Sequence, residues 1–455
     1  MTVPDRSPAA RCPGLSTREI LMSDHRPADP LLAESGIDFI GNDDLPMDVY
    51  LSRACSQAET AKVWKRCWQM ASRGELLREP GSHIVYDIVD ESAIVVRGRD
   101  GNLRAFVNSC PHRGTRLLDG DGGGGVRIRC PFHGLTWTLD GKIDKWPCSW
   151  DFRHVDPADI ALSEIPVGEW NGFVFVSFDR DAPPLTDYLE DLPTHFARWP
   201  LDARYTAAHI GKVLDCNWKI ALEAFLETFH IVGLHPEALP FFGDANSQYD
   251  VWEGRRHYSR MINPSGVLSP HLGSEPAPAR VLAAAARFGL CSGDPLAEAE
   301  TPRQRIASEV RSAIADASGV DLSGYSDSEV VDVIEYFLFP NLVMFGGFAS
   351  PLAYRARPHG DDPGKCLFEA WLLPPYAPGT TPPPPAPYRL LAEHERFGDV
   401  AALGVFGAVL DQDADAMPLV QRGMRSSAKG RITLGSYQEI RIRHMRQTLA
   451  DYLSR

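Results

Sequence analysis

The sequence predicts an α+β protein in which a small all-β domain precedes a larger domain of antiparallel sheet and helices. Between residues 81 and 178, short apolar runs are separated by Gly and Asp, a spacing typical of a small all-β domain. Asp181-Ala-Pro-Pro184 follows as a linker, and beyond it helical periodicity alternates with strongly apolar strands. The predicted boundaries are 1–62 for an N-terminal extension with helices, 63–181 for the β domain and 185–455 for the larger domain.

Candidate elements follow the same order along the chain. Helical spacing of apolar residues predicts helices within Met47–Met70, Asn217–Val232, Ala277–Ala317 and Gln438–Leu453. The predicted strands are His83–Val89, Ala93–Arg97, Leu103–Val107, Val126–Ile128, Leu135–Leu139, Gly172–Phe178, Val333–Phe339, Leu342–Phe348 and Lys365–Leu373. The proline-rich run Pro374–Pro387 is interpreted as a loop.

Composition narrows the class of protein. The 455 residues carry a formal charge of −14, which argues against a protein that binds nucleic acid or an anionic membrane. The most apolar stretch, Tyr336–Ala349, is interrupted by Pro340 and Asn341 and is too short to span a bilayer. No export signal is visible at the N-terminus, and the nine cysteines are too dispersed for a disulfide framework. We therefore expect a cytoplasmic protein whose cysteines are buried or bind metal.

Two short loops in the β domain each combine a thiol, an imidazole and a glycine. Cys110 and His112 stand in Cys-Pro-His-Arg-Gly and, after 17 intervening residues, Cys130 and His133 stand in Cys-Pro-Phe-His-Gly. A two-iron, two-sulfide cluster with mixed ligands needs two thiolates on one iron and two imidazoles on the other. Two such loops can hold it between their tips, with the glycines permitting tight turns. The sequence therefore predicts a cluster bound by these four residues.

The residues alone leave other interpretations of this pattern open. A structural zinc site also uses two Cys and two His, although zinc fingers usually group them as Cys-x-x-Cys and His-x₃₋₅-His. In that case the chain would be a colourless, zinc-stabilised binding module. A small electron carrier would contain the cluster alone, whereas about 270 residues follow the β domain in this chain.

A second constellation lies in the predicted helix Asn217–Val232. Glu223, Glu227 and His230 are spaced i, i+4 and i+7, which places two carboxylates and an imidazole on one helix face. His235 falls off that face, but Pro236 should end the helix nearby and let His235 return to His230 at one metal ion.

The third ligand of such a site should be a carboxylate, completing the two-His-one-carboxylate arrangement that leaves positions open for O₂. Three aspartates crowd one stretch far downstream, at Asp411, Asp413 and Asp415. Spacing alone does not choose among them.

Together these motifs resemble those of the α-subunits of Rieske non-heme iron oxygenases of the aromatic-ring-hydroxylating type. The resemblance rests on the cluster motif, Asn217-Trp-Lys219, Glu-x-x-His-x₄-His, Phe339-Pro-Asn341 and the late Asp/Gln segment. It implies a Rieske domain joined to a catalytic domain of helix-grip type. In that family the carboxylate ligand precedes a Val-Gln pair by seven and eight residues, which favours Asp413 and leaves Asp411 as the alternative.

The resemblance also implies cofactors and partners. Each subunit would hold one [2Fe–2S] cluster and one mononuclear Fe(II), with electrons arriving from NAD(P)H through a reductase, a ferredoxin or both. A homotrimer is expected, with or without a small β-subunit, in which His133 of one subunit bonds to Glu227 of the next. Glu227 is thus the expected catalytic bridge, although the family usually has Asp there and Asn where this chain has Ala224.

The reaction implied is oxygenation of an apolar, aromatic small molecule by O₂, through cis-dihydroxylation. The alternative is monooxygenation, or N- or O-demethylation, of a small amine or methoxy compound. Apolar residues proposed to line the substrate cavity are Phe225, Leu226, Phe229, Leu234, Phe345, Phe348 and Phe406.

One stretch of the β domain is basic. Residues 97–145 hold nine Lys and Arg against five Asp, a balance of +4 on an acidic chain. We expect this stretch to be the docking face for an acidic electron donor, with Arg113 and Arg116 as the positions to test.

Overall fold

The chain divides into two compact units. The structure, a computed structural model, describes residues 11–12, 14–273 and 277–455. The smaller unit spans Gln57–Tyr188 with Pro358–Asp361 and Arg455. The larger unit takes the other described residues. None of the helices in the described ranges combines the length and the hydropathy that crossing a bilayer requires.

The helices lie mostly in the larger unit. Their bounds are α1 Thr17–Met22, α2 Pro30–Ala33, α3 Asp48–Leu51, α4 Arg53–Glu59, α5 Leu185–Leu189, α6 Leu192–His195, α7 Trp218–Glu223, α8 Ile231–Leu234, α9 Pro278–Arg287, α10 Pro302–Ser318, α11 Asp327–Val331, α12 Val405–Arg425 and α13 Ile440–Ser454. A short π-helix, Thr60–Trp64, follows α4. The predicted helices over Ala277–Ala317 and Gln438–Leu453 therefore correspond to α9, α10 and α13.

The described residues before position 57 pack into the larger unit. Strand β1, Leu45–Pro46, pairs with a strand at Arg431–Ile432. The main-chain N–H of Gly36 donates to the Asp250 carboxylate at 3.0 Å. These long-range bonds hold the segment against the body of the larger unit.

The smaller unit is all-β between residues 69 and 176. Its strands are β2 Gln69–Arg73, β3 His83–Ile88, β4 Glu91–Arg97, β5 Leu103–Val107, β6 Arg127–Arg129, β7 Thr136–Thr138, β8 Ile143–Lys145, β9 Glu164–Ile165, β10 Val167–Trp170 and β11 Phe173–Val176. They form three small antiparallel sheets, ordered β10-β11-β2, β3-β4-β5-β9 and β6-β7-β8. Trp137 and Ile128 pack in the core that also buries Cys110 and Cys130. The predicted all-β character is confirmed.

One eight-stranded sheet organises the larger unit. Its strands are β12 Ala208–Leu214, β13 Gln248–Asp250, β14 Tyr258–Asn263, β15 Val333–Leu338, β16 Leu342–Gly346, β17 Leu352–Pro358, β18 Cys366–Leu372 and β19 Tyr388–Leu390, with β20 Arg431–Ile432 pairing separately with β1. The order is β13-β14-β15-β16-β17-β18-β12-β19. An antiparallel sheet with helices was the predicted architecture, and it is confirmed, although the edge strand β19 runs parallel to β12.

The predicted continuous helix over Asn217–Val232 is wrong. Helix α7 ends at Glu223, turns follow, and α8 begins only at Ile231. Side chains take backbone N–H groups that a helix would otherwise use: the Thr228 N–H donates to the Tyr249 hydroxyl at 3.0 Å, and the His230 N–H donates to the Glu227 carboxylate at 2.8 Å. Such bonds compete with the helical ladder. Glu223 and Glu227 therefore do not share one helix face.

Candidate active site

The two Cys/His loops of the smaller unit are built alike. The N–H of Gly114 donates to the Cys110 carbonyl at 2.8 Å, and that of Gly134 donates to the Cys130 carbonyl at 3.1 Å. Both glycines have positive φ, +76° and +75°, which side chains disfavour. Each loop therefore turns back tightly just after its histidine, and the His112 and His133 rings meet with centroids 4.7 Å apart.

The chemistry of these donors suits an iron–sulfur cluster. Both thiols are buried, and Nδ1 of His112 is buried without any hydrogen-bond partner among the described residues. Burial opposes ionisation of both thiols and raises the pKa of Cys110, whereas at Cys130 the amides of Phe132 and His133 outweigh burial and hold the pKa below its usual value. A buried imidazole nitrogen without a partner lies beside thiols that face main-chain N–H groups. A bound metal would give this nitrogen its missing partner.

The spacing of these donors disfavours a single zinc ion. Four ligands at Zn–S and Zn–N distances near 2.3 and 2.0 Å would lie within about 4.6 Å of one another. Among the described residues, only one group of three or more such donors lies within 4.8 Å, and it is in the larger unit. Cys110, His112, Cys130 and His133 do not form such a group among the described residues, which disfavours a single tetrahedral ion at these four positions.

That compact group consists of His230, His235 and Asp413. The single-turn helix α8 has His230 at its N-cap and His235 at its C-cap, so one turn brings the rings to 5.3 Å between centroids. From α12, the Asp413 carboxylate reaches Nε2 of His235 at 3.0 Å and Nε2 of His230 at 3.9 Å. The three donors could hold one ion and leave further coordination positions open.

The structure separates the three aspartates that spacing left open. Both carboxylate oxygens of Asp411 accept main-chain N–H bonds, from Phe397 at 2.8 Å and Gly398 at 2.9 Å. Asp415 is exposed and pairs with Arg396 at 2.7 Å. Only Asp413 of the three faces the imidazoles, so the geometry favours Asp413 over Asp411 as the ligand.

The Asn-Trp-Lys and Val-Gln motifs are joined by hydrogen bonds. The Asn217 side chain caps α7 by accepting from the Lys219 N–H at 3.1 Å. The main-chain N–H of Asn217 donates to the Gln421 side chain at 3.0 Å. Because Gln421 lies two turns beyond Asp413 on α12, this bond fixes the carboxylate relative to α7.

Each imidazole is held by a second group. Nδ1 of His230 lies 3.0 Å from the Glu227 carboxylate, which also accepts the His230 main-chain N–H at 2.8 Å. Nδ1 of His235 lies 2.7 Å from the side-chain oxygen of Gln412. Both contacts fix the Nδ1–H tautomer and direct Nε2 toward Asp413. Sequence reasoning missed Gln412, although its position next to Asp413 was a signal for it.

The electrostatics of this group favour a positive charge. Burial alone would lower the pKa of His230, but the carboxylates of Glu227 and Asp413 outweigh it and raise that pKa to about 9. The pKa of His235 is also raised, because Asp413 outweighs the effect of burial. Acidic groups that draw protons onto two histidines would stabilise a divalent cation in the same place.

A cavity of about 220 Å³ adjoins these three residues. Its aromatic lining consists of Phe225, Phe241, Phe242, Phe288, Phe345, Tyr354 and Phe406, and its carboxylates are Glu227, Glu237, Glu335 and Asp413. No Lys or Arg stands among the described lining residues. The cavity is therefore small, aromatic and acidic.

The prediction of cavity residues was correct only in part. Phe225, Phe345 and Phe406 line the cavity. The other four residues proposed, Leu226, Phe229, Leu234 and Phe348, are outside this lining. Leu226 is fully buried in the core, whereas Phe229 is 52% exposed, because the chain leaves the helix between α7 and α8.

The basic stretch is largely neutralised by acidic side chains of the smaller unit, some within the stretch and some outside it. Five of its nine basic side chains form ion pairs, namely Arg97, Arg104, Arg116, Arg127 and Lys142. Arg116 pairs with both Asp87 and Asp119, which assigns it a structural role. Arg113 instead lies over the exposed Phe132 ring, 5.2 Å from its centroid, at the tip of the cluster loops.

Comparison with known proteins gives two family matches. Residues 189–455 match the ring hydroxylating alpha subunit (catalytic domain), and residues 67–156 match the Rieske [2Fe-2S] domain. Together they cover most of the chain, and the first alone covers more than half of it.

Curated relatives include the carnitine monooxygenase oxygenase subunit of Acinetobacter pittii, 30% identical over 205 residues, 44% of this chain and 55% of that protein. The glycine betaine monooxygenase oxygenase subunit of Chromohalobacter salexigens is 31% identical over 201 residues, 44% of each. The chain thus matches only about half the length of these relatives. A crystal structure of a quaternary ammonium Rieske monooxygenase with L-carnitine aligns with a TM-score of 0.61 at 18% identity, covering 90% of this chain and 95% of that one.

Proposed function

The chain belongs to the family of ring-hydroxylating α-subunits with a Rieske domain, and from that premise we propose that it is the terminal component of an oxygenase. In this proposal Cys110, His112, Cys130 and His133 hold the [2Fe–2S] cluster, while the compact group in the larger unit holds Fe(II). The observation that carries the proposal is the convergence of His230, His235 and Asp413 beside an apolar cavity.

When bound, the cluster supplies single electrons and the iron supplies the site at which O₂ is reduced. The chain's own residues do the positioning. Glu227 and Gln412 hold the two imidazoles by their Nδ1–H groups, and Asp413 completes the set of ligands. The aromatic lining excludes water from the substrate and holds its apolar part against the metal site.

For the substrate, a small N-methylated amine fits better than an aromatic hydrocarbon. Relatives named for carnitine and glycine betaine support monooxygenation or N-demethylation of a small amine over cis-dihydroxylation of an aromatic ring. The chain's own lining supports it independently. Aromatic faces attract a quaternary ammonium group, and a described lining with four carboxylates but no Lys or Arg favours a cation.

The proposed reaction is hydroxylation of a carbon next to nitrogen. One atom of O₂ enters the C–H bond, and the other leaves as water with two electrons and two protons. The hydroxylated carbon then releases nitrogen, so the C–N bond breaks and the products are an aldehyde and a smaller amine. The electrons come from NAD(P)H through a reductase, with or without a ferredoxin.

The proposed assembly is a homotrimer in which the His133 imidazole of one subunit bonds to Glu227 of the next. Two exposed features support such contacts. Phe132, next to His133, is 58% exposed, and Phe229, next to His230, is 52% exposed. Both exposed rings stand beside a candidate metal site, where the proposed contact between subunits would bury them.

Product analysis under ¹⁸O₂ with a surrogate reductase tests the proposal. We expect N-methylated amines to yield an aldehyde and a demethylated or cleaved amine, with NADH oxidation matched to product. Aromatic hydrocarbons should give little product. Formation of a cis-diol from an aromatic ring, with no turnover of any amine, would contradict the proposed substrate while leaving the oxygenase assignment intact.

A further inference from the structure

One wall of the cavity is the face of three neighbouring strands. Met261 of β14 lies opposite Glu335 of β15, and Glu335 lies opposite Phe345 of β16. All three line the cavity. The next row on the same face pairs Asn263 with Val333, two residues and therefore about 7 Å further along the strands. Asn263 and Val333 also line the cavity, so the wall continues in that direction.

Two polar side chains in this wall have no hydrogen-bond partner in the part of the chain that the structure describes. Asn263 is 1% exposed, and neither its side-chain oxygen nor its nitrogen makes a hydrogen bond to any described residue. Ser265, two residues on and 2% exposed, lines the same cavity with an unbonded hydroxyl. Buried polar groups are nearly always satisfied in native proteins, so three unpaired atoms in one wall indicate a missing partner.

The fold itself does not need these side chains. The main chain of Asn263 is paired within the sheet opposite Val333. Both main-chain groups of Ser265 are engaged, its N–H with Asp332 at 2.8 Å and its carbonyl with Arg303 at 2.8 Å. An apolar side chain at either position would fill the wall without leaving a polar group unpaired. The polar side chains therefore serve something that enters the cavity.

The charge around this row restricts what that partner can be. Glu335 stands in the adjacent row, and the described lining contains no Lys or Arg that could neutralise an anion. Arg441 bonds Glu335 at 2.9 Å, and it is absent from the lining. A carboxylate on the ligand would thus find no Lys or Arg to pair with in the described lining. An amide and a hydroxyl bond readily to an uncharged oxygen.

We propose that Asn263 and Ser265 form a subsite that hydrogen-bonds an uncharged oxygen, a hydroxyl or a carbonyl, on the substrate. This inference rests on the proposed function and narrows its substrate to a small amine that carries such a group instead of a carboxylate. In that respect the chain would differ from relatives named for carnitine and glycine betaine, whose substrates are carboxylates.

The test measures binding to the metal-loaded protein by calorimetry, apart from turnover. The probes are (2-hydroxyethyl)trimethylammonium and propyltrimethylammonium, which differ only by hydroxyl against methyl. The wild type should bind the hydroxyl compound about five- to fifty-fold more tightly, because the methyl compound leaves buried polar groups unpaired. Asn263→Leu and Ser265→Ala should each bring this ratio toward one, while (carboxymethyl)trimethylammonium binds weakly throughout.

A matched control exists in Ser328, which is fully buried with an unbonded hydroxyl but lies outside the cavity lining. Ser328→Ala should leave the ratio unchanged. Asn263→Leu should also raise or maintain the melting temperature, since it removes unpaired polar atoms. Ser265→Ala supplies a second, smaller change if the leucine is not tolerated.

A second pair of probes, 2-phenylethanol and propylbenzene, separates this inference from the proposed function. If only the phenyl pair binds and its hydroxyl preference disappears in Asn263→Leu, the subsite stands and the amine assignment falls. A wild type without hydroxyl preference, or a preference that survives both variants, would overturn the subsite. Binding of none of these probes would overturn both.

Discussion

The side-chain oxygen of Gln412 lies 2.7 Å from Nδ1 of His235, and the same amide donates to Glu237 at 2.9 Å. The amide is therefore oriented from both sides, and its oxygen must accept the Nδ1–H of the imidazole. This leaves the lone pair of Nε2 directed at the proposed iron position beside Asp413.

Gln412→Leu should weaken iron binding because the ring of His235 loses the group that fixes its tautomer. We expect the affinity for Fe(II) to fall about 10- to 100-fold, as is typical when a group that orients a ligand is removed. Asp415→Asn, on the same helix but paired with Arg396 at the surface, is the control. Equal Fe(II) affinities of Gln412→Leu and the wild type in a chelator competition would refute this role.

Glu227→Gln should leave both metals bound and lower turnover. The carboxylate accepts two bonds from His230 and is the proposed bridge to the cluster of a neighbouring subunit, and an amide offers neither the charge nor two equivalent acceptors. We expect a loss of about 10- to 100-fold in the single-turnover rate of the pre-reduced enzyme. Glu253→Gln, an exposed carboxyl elsewhere in the unit, should be neutral. Wild-type turnover and coupling in Glu227→Gln would rule out the bridge.

The titration of Glu223 should make the free energy of unfolding depend on pH. Burial raises its pKa to about 7, above the usual range of a glutamate, against the opposing effects of Arg446 and of the Tyr50 hydroxyl, 2.7 Å away. The folded protein thus keeps a proton that the unfolded chain has lost, and the free energy of unfolding falls as the pH rises from about 5 to about 7. Because Glu223 is only partly buried, we expect the free energy of unfolding to fall by about 2 kcal/mol over this range of pH.

Thermal denaturation of Glu223→Gln beside the wild type measures this contribution. The difference in melting temperature, wild type minus variant, should decrease as the pH rises through this window and then level off. A difference that stays constant with pH would show that Glu223 titrates alike in both states. Glu253→Gln again controls for the loss of one carboxyl.

Arg113 and Arg116 should behave differently, although the sequence proposed them together. Arg113 lies at the loop tip over Phe132, whereas Arg116 is held by Asp87 and Asp119. Arg113→Glu should slow reduction of the cluster by its electron donor, most strongly at low ionic strength. Arg116→Glu should chiefly lower the melting temperature. Stopped-flow reduction that is independent of salt in both the wild type and Arg113→Glu would contradict a docking role.

The sequence correctly predicted the features that depend on residues close together in the chain. Strand bounds in the smaller unit agree to within a few residues, because alternation and glycine turns are local signals. The proximity of His230 and His235 also followed from local rules, because Pro236 cannot continue a helix and the chain turns beside the two histidines. The fold class and the cofactor types are confirmed by the family matches.

What depends on long-range contacts could not be predicted. The break between α7 and α8 arises from bonds of Thr228 to residues near 244–249, which no local pattern shows. The ion pairs that neutralise the basic stretch join residues up to 72 positions apart. Asn263 looks ordinary in the sequence, and only its unpaired burial in the cavity wall singles it out.

The central claim is that one chain holds an electron-relaying cluster and a separate iron. Measuring the content of iron and acid-labile sulfide tests this claim most directly. The wild type should contain three irons and two sulfides per chain, with a brown-red colour. Asp413→Ala should lose about one iron and keep both sulfides and the colour, whereas Asp411→Ala should keep all three irons. Zinc in place of iron, or protein without labile sulfide, would contradict the account.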